Sequence, residues 1–397
     1  MIIRKGLPEK QDFRNRPDNE DYIDFINYVF GMNGHSSSFR KLLPKLYKHG
    51  RRPEDFTYFS LENDKITGAV GAFPLEYVIA GERFSCTGIG NVASHPEKRG
   101  QGTMKALMNA AVSDMIKDGI DLSVLSGKRH RYNHFGYEKC SGMRYFNLSA
   151  RTVFAVIPEP AGELSIERLG CSDQALLDEL CDHMNNRSFF VRRNRDDLYD
   201  ILTTWQAVPY VFYKNSRPAG WCIRENNGDG ISEFYPYETE DTALFAACIA
   251  QKFHSASIAV PPYETGISDE LEPLSENVIC VSNECFLILN WEKLIRALFR
   301  LKASYSPICD GELILDIDGI KSREILKIKV KDKACLIESL DKTSQEKSAE
   351  GIPCVKLSQN EAQALLFGFY RRSSYNLPGF TASWFPLPLV VPSPDNV

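Results

Sequence analysis

The feature that most constrains this chain is a change of hydrophobic period across residues 84–125. Residues 84–94 read as a strand, entered through the Gly81-Glu82 turn signal. After two glycines, Met104, Leu107, Met108, Ala111 and Met115 fall on one helical stripe, with Gly119 placed as a C-terminal stop. Residues 120–125 then return to strand character. Strand, helix, strand is the connection that joins parallel neighbours. Upstream, residues 56–62, 67–73 and 75–80 read as an antiparallel meander broken by Asn63-Asp64. A mixed sheet follows, and with it an α+β fold.

The loop between that strand and helix is Arg99-Gly100-Gln101-Gly102-Thr103-Met104, which forms the first turn of the helix. Unpaired N–H groups at a helix start, backed by the positive end of the macrodipole, attract phosphate oxygens, and glycine lets the backbone come close. Lys98 and Arg99 add positive charge. A plain glycine-containing strand-to-helix turn has the same local pattern. Two nucleotide motifs are excluded: the Walker spacing is absent, and Lys105 stands where a dinucleotide fingerprint needs its third glycine. Asp121 sits near the offset of a ribose-binding acid, but helices and a meander upstream do not fit a Rossmann amino terminus.

The other elements use the same vocabulary. Asp18-Asn19-Glu20 and Ser36-Ser37-Ser38 each precede an apolar stripe of helical spacing, the second running Phe39, Leu42, Leu43 and Leu46. Strands are expected at 210–213, 219–224 and 231–237, and a helix at 242–253. A strand at 285–289 leads into a helix carrying Trp291, Leu294, Ile295, Leu298 and Leu301. Residues 311–318, 325–330 and 334–340 alternate like a two-faced sheet, and Ser358 with Glu361 forms a capping box. The tail from Pro378 holds Trp384, Phe385, Leu387, Leu389, Val390 and Val391, too apolar to hang in solvent; it is expected to run extended across the protein.

Composition narrows the function classes. A formal charge of −5 without a basic block argues against a nucleic-acid partner. No apolar run approaches the ~20 residues of a membrane span, and charged residues from Arg4 onward leave no signal-peptide core, so a cytoplasmic protein is expected. Eleven scattered cysteines without a C-x-x-C pair point to buried thiols rather than disulfides. His130 and His134 are four apart, yet lack the further ligands a metal needs, and no metal is expected.

The loop resembles the pyrophosphate loop of the GNAT superfamily of acyl-CoA-dependent N-acetyltransferases, [QR]-x-x-G-x-[GA], through Arg99 and Gly102. Met104 departs from the small final residue, as in one branch, the Eis-like (enhanced intracellular survival) enzymes. Gly88-Ile89-Gly90-Asn91-Val92-Ala93-Ser94-His95-Pro96 before the loop and Tyr132-Asn133-His134-Phe135-Gly136-Tyr137-Glu138 after it resemble the same branch. The resemblance implies two GNAT-type domains, 1–150 and 151–289, then a sterol-carrier-like domain, 290–397, whose tail returns to the active site. It also implies acetyl-CoA as co-substrate, held by the backbone of Val92 and Ser94 and by Arg99, Gly100, Gln101, Gly102, Thr103 and Met104.

Tyr132 would be the acid that protonates the departing thiolate, and the carboxylate of Val397 the base or base relay. The acceptor would be an aminoglycoside-, polyamine- or lysine-like amine, and the assembly a homo-oligomer such as a hexamer. A lipid- or ligand-binding protein that senses acyl-CoA without turnover is the alternative.

Overall fold

The computed structural model describes residues 2–7, 20–32, 38–158, 164–282, 284–340, 351–369 and 375–397. Three sheets organise them. The first has eight strands: Ile2–Lys5, Thr57–Glu62, Lys65–Ile79, Glu82–Ser94, Leu122–Leu125, Cys285–Ile288 and Glu138–Lys139 lie side by side, and Phe189–Val191 pairs with Lys65–Ile79. Only Glu82–Ser94 and Leu122–Leu125 run parallel in it, joined by the helix Thr103–Lys117 that the change of period predicts. The second sheet has seven strands in the order Asn277–Val281, Met143–Ser149, Ser255–Val260, Gly230–Pro236, Arg217–Arg224, Val208–Lys214, Leu164–Arg168. The third has four: Ala334–Ser339, Arg323–Lys331, Gly311–Asp318 and Cys354–Ser358.

Sheet membership crosses the expected boundaries at 150 and 289. Met143–Ser149 belongs to the second sheet, and Cys285–Ile288 is inserted between Leu122–Leu125 and Glu138–Lys139 of the first. Local pattern does not show which sheet a strand joins.

Two expectations about single elements need correction. The meander has three strands before the loop, because Lys65–Ile79 continues through Pro74. Glu76 O accepts from Arg192 N at 2.8 Å on the edge away from Glu82–Ser94. Pro74, two residues earlier, therefore turns its hydrogen-free nitrogen to that edge, where no strand among the described residues pairs with it. The single helix expected from Phe39 is instead two turns, Phe39–Leu42 and Pro44–Tyr47, because proline drives Leu43 out of helical geometry, to φ −130°. Asp18, Asn19, Ser36 and Ser37 lie outside the described residues. Ser38 Oγ accepts from Arg40 N at 3.3 Å.

The tail fuses the sheets. Trp384, Phe385, Leu387, Leu389, Val390 and Val391 are buried in one core with the helix Trp291–Tyr305, the third sheet and Phe84, Leu122 and Phe286 of the first. Burial favours each such side chain by about 1.5–3 kcal/mol. The helix Thr103–Lys117 covers one face of the first sheet through Leu107, Met108 and Ala111. Glu20–Gly31 and the two short helices cover the other, through Tyr22, Ile26 and Tyr47.

Candidate active site

The site is built where the two parallel strands part. Their pairing ends at Ile89 with Leu125. Beyond it Glu82–Ser94 keeps only its other neighbour, Lys65–Ile79, and a bulge intervenes, two residues on one strand facing one on the other between the Gly71–Gly90 and Ala69–Ala93 pairs. Asn91 takes the left-handed turn of this bulge, at φ 50°, a conformation asparagine tolerates better than most residues. Its side-chain amide donates to the buried hydroxyl of Tyr47.

His95 N donates to Thr67 O at 2.9 Å, toward the paired neighbour. By the alternation of a strand, Ser94 and Val92 aim their N–H and C=O groups at the vacated side. Among the described residues no backbone group bonds them there.

The loop follows at once. Gly100 and Gly102 have φ 76° and 78°, and a Cβ on either would meet open space, so glycine is required by conformation rather than crowding. Gly102 caps the helix Thr103–Lys117. Arg99, Gly100, Gln101 and Gly102 are exposed, Met104 is partly buried and Thr103 is buried. Lys98 is bound to Glu62, so its charge is locally balanced, whereas Arg99 makes no ion pair among the described residues.

Tyr132 ends the short helix Arg129–Tyr132 and packs over Gly127, just past the strand Leu122–Leu125; a Cβ on Gly127 would stand 2.5 Å from its ring. It is 9% exposed, and its hydroxyl bonds to no described residue. Burial lifts its pKa above that of an ordinary phenol, so it holds its proton throughout the neutral range. Tyr137 is fully buried, its hydroxyl 2.7 Å from Ser123 Oγ, and so has a packing role. His130 and His134 do not share one helix, since a tighter turn, Asn133–Phe135, begins between them. No group of three or more His, Cys, Asp or Glu among the described residues is placed to hold a metal.

The chain's last residue lies on the same sheet. A Cβ on Gly88 would stand 2.7 Å from the Val397 side chain, and one on Gly90 only 2.8 Å from the Val397 carbonyl carbon. The two glycines clear a seat for it. Three residues absent from the sequence reasoning hold the tail there. Arg193 forks to Asp395 at 3.2 and 2.7 Å and also binds Glu233. Arg193, Asp395 and Glu233 are each about 5% exposed or less. Lys45 Nζ donates to Pro394 O and Asn396 O, each at 2.6 Å. Burial pulls the Lys45 ammonium down to about 7.

A parallel strand pair opening at a bulge, followed by a glycine loop and helix, can be compared with known proteins. Residues 15–140 match the family model Acetyltransferase (GNAT) domain. The chain carries a GNAT domain. It is accordingly an acyltransferase enzyme, of a fold that takes an acyl-CoA as co-substrate. None of the curated proteins matches the chain significantly in sequence. Among solved structures, Eis1 from Mycobacterium abscessus is similar over 100% of both chains, at 12% identity and a TM-score of 0.65. A GCN5-related N-acetyltransferase from Anabaena variabilis covers 93% of this chain and 90% of its own, at 14% identity and TM-score 0.63. A probable N-acyltransferase from Enterococcus faecalis gives the same coverage at 17% and 0.62. At these identities the likeness establishes the fold.

No helix among the described residues is long and apolar enough to cross a membrane. Six of the eleven cysteines are buried, and all are free.

Proposed function

We propose that the protein transfers the acetyl group of acetyl-CoA directly to a primary amine of aminoglycoside, polyamine or lysine type. The observation that carries this reading is the seating of Val397 over Gly88 and Gly90, beside the point where the strands part and on the strand pair that Tyr132 flanks. The open edge at Val92 and Ser94 offers the pantetheine amides a strand to pair with, and the amides from Gly100 to Met104, with Arg99, offer the pyrophosphate its donors. The amine attacks the thioester carbon, the C–S bond breaks, and Tyr132 gives its proton to the sulfur. The Val397 carboxylate takes the amine's proton as base or as first member of a base relay.

Division into two GNAT-type units and a sterol-carrier-like unit, cytoplasmic residence and assembly into a homo-oligomer such as a hexamer belong to the same proposal. Full coverage in the Eis1 comparison supports the division, through likeness of fold alone.

The test follows thiol release from acetyl-CoA against a panel of amines. Tyr132→Phe is expected to lower kcat by about 10²-fold or more. Gly90→Ala, whose new methyl must displace Val397, is expected to lower kcat while acetyl-CoA still binds. Full activity in both variants overturns the mechanism.

A further inference from the structure

Strand register continues the site one step beyond Tyr132 and Val397. Ile89 pairs with Leu125, and Leu125 pairs with Cys285 on the inserted strand. The positions just past these last pairs, where the strands part, are Gly90, Ser126 and Glu284. Gly90 carries Val397; Ser126 Oγ donates to Glu284 Oε2 at 2.6 Å; Asn396 Nδ2 donates to Glu284 Oε1 at 3.4 Å. A carboxylate at the entry to the inserted strand thus touches both halves of the site: the segment leading into Gly127 and Tyr132, and the residue preceding Val397.

We infer that Glu284 is the second member of the base relay, the carboxylate on which the acceptor's proton comes to rest. The inference rests on the acetyltransferase reading. Forming the N–C bond releases one proton from the amine, which passes by way of the Val397 carboxylate to Glu284. Breaking the C–S bond draws one proton from Tyr132 to the sulfur. The cycle closes when the proton on Glu284 returns through solvent to the Tyr132 phenolate, so the enzyme gains and loses none. Burial raises the Glu284 carboxyl above the usual range, which suits an acceptor of an amine's proton; Ser126, Lys139 and Asn396 pull it back down. Tyr77, whose buried hydroxyl has no hydrogen-bond partner among the described residues, and the Cys285 thiol also feel its charge.

The experiment compares kcat against pH for wild type, Glu284→Gln and Ser126→Ala, with thermal melting as the check on folding. Glu284→Gln keeps the shape, so kcat should fall by about 10²-fold with KM for acetyl-CoA unchanged. Ser126→Ala removes a bond that favours the ionised carboxyl, so its acid limb should move to higher pH, a change that a purely structural serine would not produce. Wild-type kcat and acid limb in Glu284→Gln, or an unmoved limb in Ser126→Ala, overturn the inference. A wild type that releases thiol with no amine overturns the acetyltransferase reading instead.

Discussion

The two parts of the proposed site are held in opposite ways. The loop from Arg99 to Gly102 is open to solvent, stands on its own backbone geometry and lies within a few residues of the strand and helix that shape it. The tail that carries Val397 is buried, comes from the far end of the chain and is fixed by side chains from two other regions, Arg193 and Lys45. A phosphate site made of backbone amides needs only local conformation. A carboxylate delivered over a long distance needs anchors, and those anchors are charged groups removed from water.

That difference predicts where the protein breaks. Arg193→Ala should have the largest effect, because it leaves Asp395 and Glu233 buried without their shared cation. Removing one partner of a buried ion pair costs about 3–5 kcal/mol. Urea unfolding measures the loss, and thiol release should fall with it as the tail leaves its seat. A variant as stable as wild type would show that burial of Trp384 to Val391 places the tail alone.

Legibility in the sequence divides along the same line. The helix Thr103–Lys117, its strand neighbours, the capping box at Ser358 and the burial of the tail are all written in local period or composition; the capping box is closed by Ser358 N donating to Glu361 at 3.0 Å. Asn91 was within reach, since an asparagine beside two glycines in a strand is a signal for a left-handed residue. Glu284, Arg193 and Lys45 were not. Each is an ordinary charged residue in an ordinary segment, and only contacts between distant parts of the chain bring it to the site: strand pairing for Glu284 and Arg193, helix-on-sheet packing for Lys45.

Lys45 supplies the next test. An unfolded lysine keeps its proton to near 10.5, whereas this buried one releases it near 7. Between those values the folded state binds fewer protons than the unfolded, so the group's contribution to stability rises with pH across that window. The stability of wild type relative to Lys45→Met should therefore rise from pH 7 toward pH 10. A constant difference would mean that Lys45 stays charged under the tail.

The smallest effect belongs to the open half. Arg99 is exposed and makes no ion pair among the described residues, so Arg99→Ala should leave stability within about 0.5 kcal/mol of wild type. What it removes is a cation facing the proposed pyrophosphate position. An exposed charge pair is worth about 0.4–1 kcal/mol, so KM for acetyl-CoA should rise about two- to fivefold while kcat holds. Added salt should narrow that gap, because screening weakens the wild-type contact and leaves the variant nothing to lose. A large fall in kcat would place Arg99 with the tail, among groups that position the reacting atoms. A rise in KM alone keeps it in the part of the site built from local backbone.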